Sequence, residues 1–125
     1  MSRLVVYVSP WCGNCVDTQA ALDEWHVAYA KVDIKRDKAG AGRVRSWTGF
    51  ESVPTLVIAA EDGLEPCEAP LALRPGASPR GIDRGCLLTE PNRGELRAWL
   101  AKHGMLEDST GGPKANPADP RARAA

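Results

Sequence analysis

The order of secondary-structure signals in the first 34 residues constrains the fold more than any other feature of the chain. Leu4–Val8 is a short apolar run rich in β-branched residues, which is typical of a buried strand. Apolar residues at helical spacing predict a helix from about Cys15 to Trp25. Alternating residues from Ala28 to Ile34 predict a second strand. A strand–helix–strand unit of this size has parallel strands, so we expect an α/β fold.

The remaining regular elements follow at wider spacing. Asp37 is expected to cap a second helix that reaches about Trp47. Thr55–Ala59 and Leu87–Thr89 are apolar enough for a third and a short fourth strand. Asn92 and Glu95 form the pattern of a capping box, which predicts a final helix ending at Gly104.

Two segments fall outside this pattern. Residues 61–86 are rich in proline and glycine, so we expect a long insertion loop before the last strand. Residues 107–125 contain almost no apolar side chain larger than alanine, which predicts a disordered tail. The expected domain is therefore residues 1–106.

Charge and hydropathy argue against several classes of protein. The 16 basic and 16 acidic residues cancel, so nothing favours nucleic acid or an anionic membrane as a partner. The apolar run near the start is too short for an export signal or a membrane span. We therefore expect a cytoplasmic protein, in which the four cysteines are mostly reduced thiols.

A close cysteine pair lies where the first strand meets the first helix. A thiol at the first turn of a helix is near unpaired backbone N–H groups and the positive end of the helix dipole, and both favour the thiolate of Cys12. Cys15 follows on the same helical face, close enough to attack a mixed disulfide formed at Cys12. A zinc site is the alternative, but Cys67 and Cys86 would have to complete it, and eighteen residues lie between them. These two cysteines could instead pair with each other, act in regulation or stay free, and we favour free thiols.

The second motif is Val53-Pro54, immediately before the third strand. We expect this peptide bond to be cis, in which case the backbone N–H and C=O of Val53 can face the cysteine pair. An extended substrate could then pair with Val53 as an added strand. A simple proline at the start of a strand is the alternative.

These motifs together resemble a glutaredoxin-like protein of the thioredoxin superfamily, closest to the mycoredoxins and ribonucleotide-reductase redoxins. The resemblance covers residues 3–60 well and 87–103 loosely, and its central motifs are Trp11-Cys12-Gly13-Asn14-Cys15 and Val53-Pro54-Thr55. Glutaredoxins usually carry proline and an aromatic residue where Gly13 and Asn14 stand. The resemblance implies a thioredoxin fold with a four-stranded mixed sheet and flanking helices.

The resemblance also implies an activity, which is reduction of mixed or protein disulfides. Cys12 and Cys15 would be catalytic; the expected substrate-binding residues are Trp11, Gly13, Asn14, Val53 and Pro54. We expect no metal and no resident cofactor, a low-molecular-weight thiol as co-substrate, and a monomer that receives electrons from a small-thiol system or thioredoxin reductase. One alternative is an iron–sulfur cluster carrier that uses Cys12 and an external thiol. Another is a thioredoxin-like binding module in which the cysteines are incidental.

Overall fold

The computed structural model describes residues 2–106, and strands and helices alternate along the first half of the chain. In chain order the elements are β1 (Ser2–Val8), α1 (Gly13–Glu24), β2 (Ala30–Asp33), α2 (Lys38–Thr48), β3 (Thr55–Ala60), β4 (Leu87–Thr89) and α3 (Arg93–Lys102). The predicted tail, residues 107–125, lies outside the described residues. None of the helices within residues 2–106 is long and apolar enough to cross a membrane.

The strands form one mixed sheet of four strands in the order β2-β1-β3-β4, which confirms the predicted sheet. β1 pairs in parallel with β2 and antiparallel with β3, and β3 pairs antiparallel with β4. Tyr7 therefore lies between Val32 on one side and Thr55 on the other. Because β1 is central, its residues from Leu4 to Val8 are buried whichever face they point to, which explains the unbroken apolar run.

The helices cover both faces of the sheet. One face packs against α1 and α3, where Leu22, Leu96 and Trp99 are buried. The other face packs against α2 through Ala41 and Val44. Gly40 permits the close approach of α2, since a Cβ at this position would lie 2.8 Å from Val32 Cγ1. The glycines that weaken the helix signal in α2 are thus compatible with its packing.

Two predicted boundaries are shifted. α1 begins at Gly13 rather than near Cys15, because Cys12 itself acts as the N-cap. β2 begins at Ala30 rather than Ala28. His26 adopts a positive φ of 58°, and Val27 is held by a hydrogen bond to the Leu22 carbonyl, so the chain joins the sheet later than the alternation predicts.

The insertion (residues 61–86) contains no helix and no strand of the sheet, as predicted, but it is anchored to the sheet. Near its start, the Arg3 side chain donates two hydrogen bonds to the Gly63 carbonyl, and the Tyr7 hydroxyl donates to the Leu64 carbonyl. Near its end, the buried Arg84 side chain donates to the carbonyls of Leu71 and Trp47. The insertion therefore follows a defined path.

The last residues of the insertion also run beside β4. The Gly81 N–H donates to the Thr89 carbonyl at 2.7 Å, and the Arg84 N–H donates to the Leu87 carbonyl at 3.0 Å. Arg80 forms an isolated parallel bridge with Thr89. This short β4 strand thus has hydrogen-bonded neighbours on both sides.

Candidate active site

Cys12 occupies the N-cap of α1, the position where serine, threonine or aspartate is usual. Its Sγ accepts a hydrogen bond from the Cys15 N–H at 3.0 Å. The side chain is half-buried, so the sulfur is held by the protein and still reachable from solvent. A backbone donor and the positive end of a helix dipole both stabilise negative charge on this sulfur.

Cys15 lies one turn further along α1 and is buried, with only 1% of its surface exposed. Burial raises the pKa of the Cys15 thiol to about 12, and its hydrogen bond with Cys12 acts in the same direction. The two thiols are therefore unequal. Cys12 is accessible, whereas Cys15 is covered and remains protonated at neutral pH.

The Val53–Pro54 peptide bond is cis, as predicted, and the loop before β3 lies against the cysteine pair. The Cys12 thiol donates to the Val53 carbonyl at an Sγ···O distance of 3.5 Å. Within residues 2–106, the Val53 N–H has no hydrogen-bond acceptor. Pro54 itself is buried beneath this loop.

Hydrogen bonds from two directions fix the Val53–Pro54 loop. The Thr55 hydroxyl donates to the Ser52 carbonyl at 2.7 Å and lies 3.1 Å from the Thr89 hydroxyl on β4. The Glu90 N–H donates to the Pro54 carbonyl at 2.8 Å. The end of β4 thereby holds the two residues that follow Val53 in place.

The other three predicted site residues surround Cys12 on the open side. Trp11 is 91% exposed. Gly13 opens α1, and a Cβ built on it would meet no atom within 4 Å, so the space beside it is open. Asn14 lines a cleft of about 400 Å³ that runs toward the start of α3. The structure thus brings all seven predicted residues to the junction of β1, α1 and β3, and their roles in substrate binding remain predictions.

The cleft contains charged residues that the sequence analysis did not identify. Its wall includes Arg80 from the insertion and Glu90 between β4 and α3. Arg93, at the start of α3, also lines it and is paired with Asp17 at 3.3 Å. The position of Glu90, directly after the last strand, was a usable signal, whereas nothing in the sequence places Arg80 beside α1.

The four cysteines form two separate pairs. Cys12 and Cys15 follow the end of β1, whereas Cys67 and Cys86 lie beside Ile58, which pairs with Leu4 near the other end of that strand. This geometry is inconsistent with a zinc site made of all four thiols. No group of three or more potential metal ligands occurs among the residues that the structure describes.

A dithiol at a strand–helix junction, facing the residue before a cis-proline, has a geometry suited to thiol–disulfide chemistry. Residues 4–62 match the family described as Glutaredoxin. Over 102 residues the chain is 39% identical to two proteins of Mycobacterium tuberculosis that are provisionally named as glutaredoxins, from strains CDC 1551 / Oshkosh and ATCC 25618 / H37Rv. Each match covers 81% of this chain and 93% of the relative. The chain therefore belongs to the glutaredoxin family, and its four-stranded mixed sheet with flanking helices is a thioredoxin fold.

Two solved structures are similar over part of this fold. A mutant thioredoxin-like protein is 36% identical, with a TM-score of 0.42 and coverage of 46% of this chain and 74% of that chain. A buckwheat glutaredoxin in complex with glutathione is 25% identical, with a TM-score of 0.40 and coverage of 46% of this chain and 55% of that chain.

Proposed function

We propose that this protein is a thiol–disulfide oxidoreductase in which Cys12 is the nucleophile and Cys15 the resolving thiol. The observation that carries the proposal is the position of the Cys12 sulfur. It accepts the Cys15 N–H at 3.0 Å at the start of α1 and lies 3.5 Å from the Val53 carbonyl. An accessible sulfur that is stabilised as a thiolate is the attacking species in disulfide exchange.

The first step is attack of the Cys12 thiolate on a substrate disulfide. A bond forms between Cys12 Sγ and one substrate sulfur, the substrate S–S bond breaks, and the other sulfur leaves as a thiolate. A mixed disulfide at Cys12 remains. The substrate disulfide is the only electron acceptor that this step needs, because the electrons of the broken bond leave with the departing thiolate.

The second step has two routes, and the chemistry of Cys15 favours one of them. Cys15 can attack Cys12 Sγ only after it loses its proton, and burial, which raises the pKa of Cys15, opposes that loss. A small thiol from solution can reach the half-buried Cys12 without this cost. We therefore favour release by a second small thiol, with mixed disulfides as the main substrates and protein disulfides as slower ones.

Two features beside Cys12 suit an extended substrate. The N–H of Val53 is without an acceptor among residues 2–106, so a substrate backbone could pair there as an added strand. The indole of Trp11, 91% exposed, offers an apolar contact next to the reacting sulfur. Gly13 leaves the space beside it open, and Asn14 leads into the charged cleft.

The electron donor is proposed from chemistry alone. A low-molecular-weight thiol fits the mixed-disulfide route, and thioredoxin reductase is the alternative donor. We place the reaction in the cytoplasm, whose reducing thiol pool would return Cys12 to the thiolate, and we expect the monomer to be the active species.

A coupled reduction assay with each donor system in turn tests this function. Cys12→Ser should abolish catalytic turnover of both substrate classes, since a serine hydroxyl stays protonated at neutral pH. Cys15→Ser should keep most of the mixed-disulfide activity and lose turnover of protein disulfides. On a non-reducing gel, that variant should accumulate a covalent complex with the protein substrate. Cys67→Ser is the matched control, because it removes an exposed thiol far from Cys12.

Two results would overturn parts of this proposal. Equal activity of Cys12→Ser and the unaltered protein would refute the redox function as a whole. Complete loss of mixed-disulfide reduction in Cys15→Ser would show that Cys15 resolves every turnover.

Trp11→Ala tests the proposed role of Trp11 in substrate docking and should raise KM for a protein disulfide more than for a small disulfide. The exposed Leu71, changed to alanine, is its control.

The cluster-carrier alternative predicts a different observable. Cys12 of two protomers and two external thiols would hold an iron–sulfur cluster as cargo. Protein purified without oxygen would then be coloured and dimeric, and both properties would be lost in Cys12→Ser. A colourless monomer that turns over disulfides is the outcome we expect.

A further inference from the structure

Cys67 and Cys86, at the two ends of the insertion, meet in space. Their Sγ atoms are 3.2 Å apart, and both are free thiols. Cys67 is exposed, whereas Cys86 is 8% exposed and belongs to the core cluster beneath α1 and α3. The pair therefore consists of one accessible and one covered thiol.

The backbone of one residue in β3 holds both cysteines in place. The Ile58 N–H donates to the Cys86 carbonyl at 2.9 Å, and the Ile58 carbonyl accepts the Cys67 N–H, also at 2.9 Å. Ala59 and Pro66 form an antiparallel bridge next to this contact. The meeting of the two sulfurs thus results from pairing with β3.

Contacts from α3 further restrict Cys86. The Gly85 carbonyl accepts a hydrogen bond from the Trp99 indole at 2.8 Å and lies 2.8 Å from His103 Nε2. Arg84, on the other side, is held by the carbonyls of Leu71 and Trp47. A disulfide has an S–S distance of about 2.0 Å, so the sulfurs need to approach by only about 1 Å.

This pair is remote from the catalytic cysteines. The first pair lies near Pro54, because the preceding residue, Val53, contacts Cys12. The second pair lies at Ile58, which is hydrogen-bonded to Cys67 and Cys86. Pro54 and Ile58 are four residues apart along the chain into β3. At about 3.3 Å per residue of strand, this spacing corresponds to roughly 13 Å. The two pairs therefore lie at separate positions along β3.

We propose that Cys67 and Cys86 form a second redox-active dithiol, which closes to an internal disulfide by exchange with small uncharged or cationic disulfides. The Cys67 thiolate attacks one sulfur of the small disulfide, and one small thiol leaves. Cys86 then loses its proton and attacks Cys67 Sγ, which forms the Cys67–Cys86 bond and releases the second small thiol. In the balance, one small disulfide is reduced to two thiols and the protein dithiol is oxidised.

The order of attack and the preferred charge follow from the surroundings. Burial raises the pKa of Cys86 to about 11, so the exposed Cys67 attacks first. Glu65 and Glu68 flank Cys67 in the sequence, and the charge of Glu68 also opposes ionisation of Cys86. An anionic disulfide is repelled by these carboxylates, whereas a neutral or cationic one is not.

Full-length protein with Cys12→Ser and Cys15→Ala isolates the second pair for a test. We expect hydroxyethyl disulfide to remove both remaining free thiols, without an adduct and without a covalent dimer on a non-reducing gel. Peptide mapping should then find Cys67 joined to Cys86, and dithiothreitol should restore both thiols. Further changing Cys67 to Ser is the matched control, and it should leave Cys86 unreacted over the same time.

The choice of oxidant tests the charge argument. Cystamine, which is cationic, should close the pair at least several-fold faster than glutathione disulfide, which is anionic. Glu68→Gln should reduce this ratio, whereas Glu61→Gln, in the turn after β3, should not. A stable adduct on Cys67 in the presence of Cys86, or failure of all three oxidants to close the pair, would overturn the proposal. Equal rates with cationic and anionic disulfides would overturn the stated preference.

Discussion

Replacing Arg84 by methionine removes the side chain that connects the insertion to α2. The Arg84 guanidinium donates to the Leu71 carbonyl at 2.7 Å and to the Trp47 carbonyl at 2.5 Å. Trp47 lies in the last turn of α2, where carbonyls have no partner within the helix. Arg84 thus supplies a donor and a positive charge where the end of a helix requires both.

The size of the effect follows from these contacts. Each hydrogen bond from a charged donor contributes about 1.5–3 kcal/mol, so the pair contributes about 3–6 kcal/mol. Burial of the guanidinium, which lowers the pKa of Arg84, offsets part of this gain. Methionine retains much of the apolar stem and needs no hydrogen bonds. We therefore expect a net loss of about 2–4 kcal/mol in the free energy of unfolding.

Urea denaturation measures this loss directly. With a slope of about 2 kcal/mol per molar urea, in the middle of the usual range, the midpoint should fall by roughly 1–2 M. The control is Arg74→Met, which changes an exposed arginine of the same insertion and should alter stability by less than about 0.5 kcal/mol. Equal midpoints for the two variants would refute the role assigned to Arg84.

Three further predictions concern other parts of the molecule. Changing Cys67 to Ser and Cys86 to Ala together should leave disulfide reduction within a few-fold of the unaltered protein; loss of activity in the coupled assay would make the second pair part of turnover. Because Cys15 has a raised pKa of about 12, its contribution to stability is complete below the unfolded-state value of about 9 and declines as pH rises between the two values, at about 1.4 kcal/mol per pH unit. We therefore expect the free energy of unfolding, measured by denaturation at several pH values from about 8 to 10.5, to fall less steeply with pH for Cys15→Ala than for the unaltered protein. Identical slopes for the two proteins would contradict this linkage. Asn92→Ala removes the side chain that accepts the Glu95 N–H at 2.7 Å, and it should cost about 1 kcal/mol in chemical denaturation; an unchanged stability would mean that water caps α3 equally well.

The regular part of the fold and the center of the site were predictable because their signals are local. A few adjacent residues determine each of three features: the buried run Leu4–Val8, the helix start at Cys12 and the capping box at Asn92. The same holds for Val53-Pro54, whose position directly before an apolar strand indicates its place beside the cysteines.

The path of the insertion was not predictable, because its anchors join residues that are distant in sequence. Arg84 reaches a carbonyl 37 residues away, and Tyr7 reaches one 57 residues away. Neither contact leaves a periodic pattern. The sequence analysis favoured free thiols for Cys67 and Cys86, and both thiols are free. Their sulfurs nevertheless lie 3.2 Å apart, because both residues pair with Ile58.

The hydrogen bonds between the insertion and β4 have a consequence for the behaviour of the protein in concentrated solution. A strand at the margin of a sheet offers unpaired N–H and C=O groups to other chains, and such margins nucleate aggregation. Here the outward carbonyls of Leu87 and Thr89 are already occupied by Arg84 and Gly81. An engineered variant with the insertion shortened to a tight turn would expose these groups, so we expect it to associate with neighbouring molecules more readily than the unaltered protein.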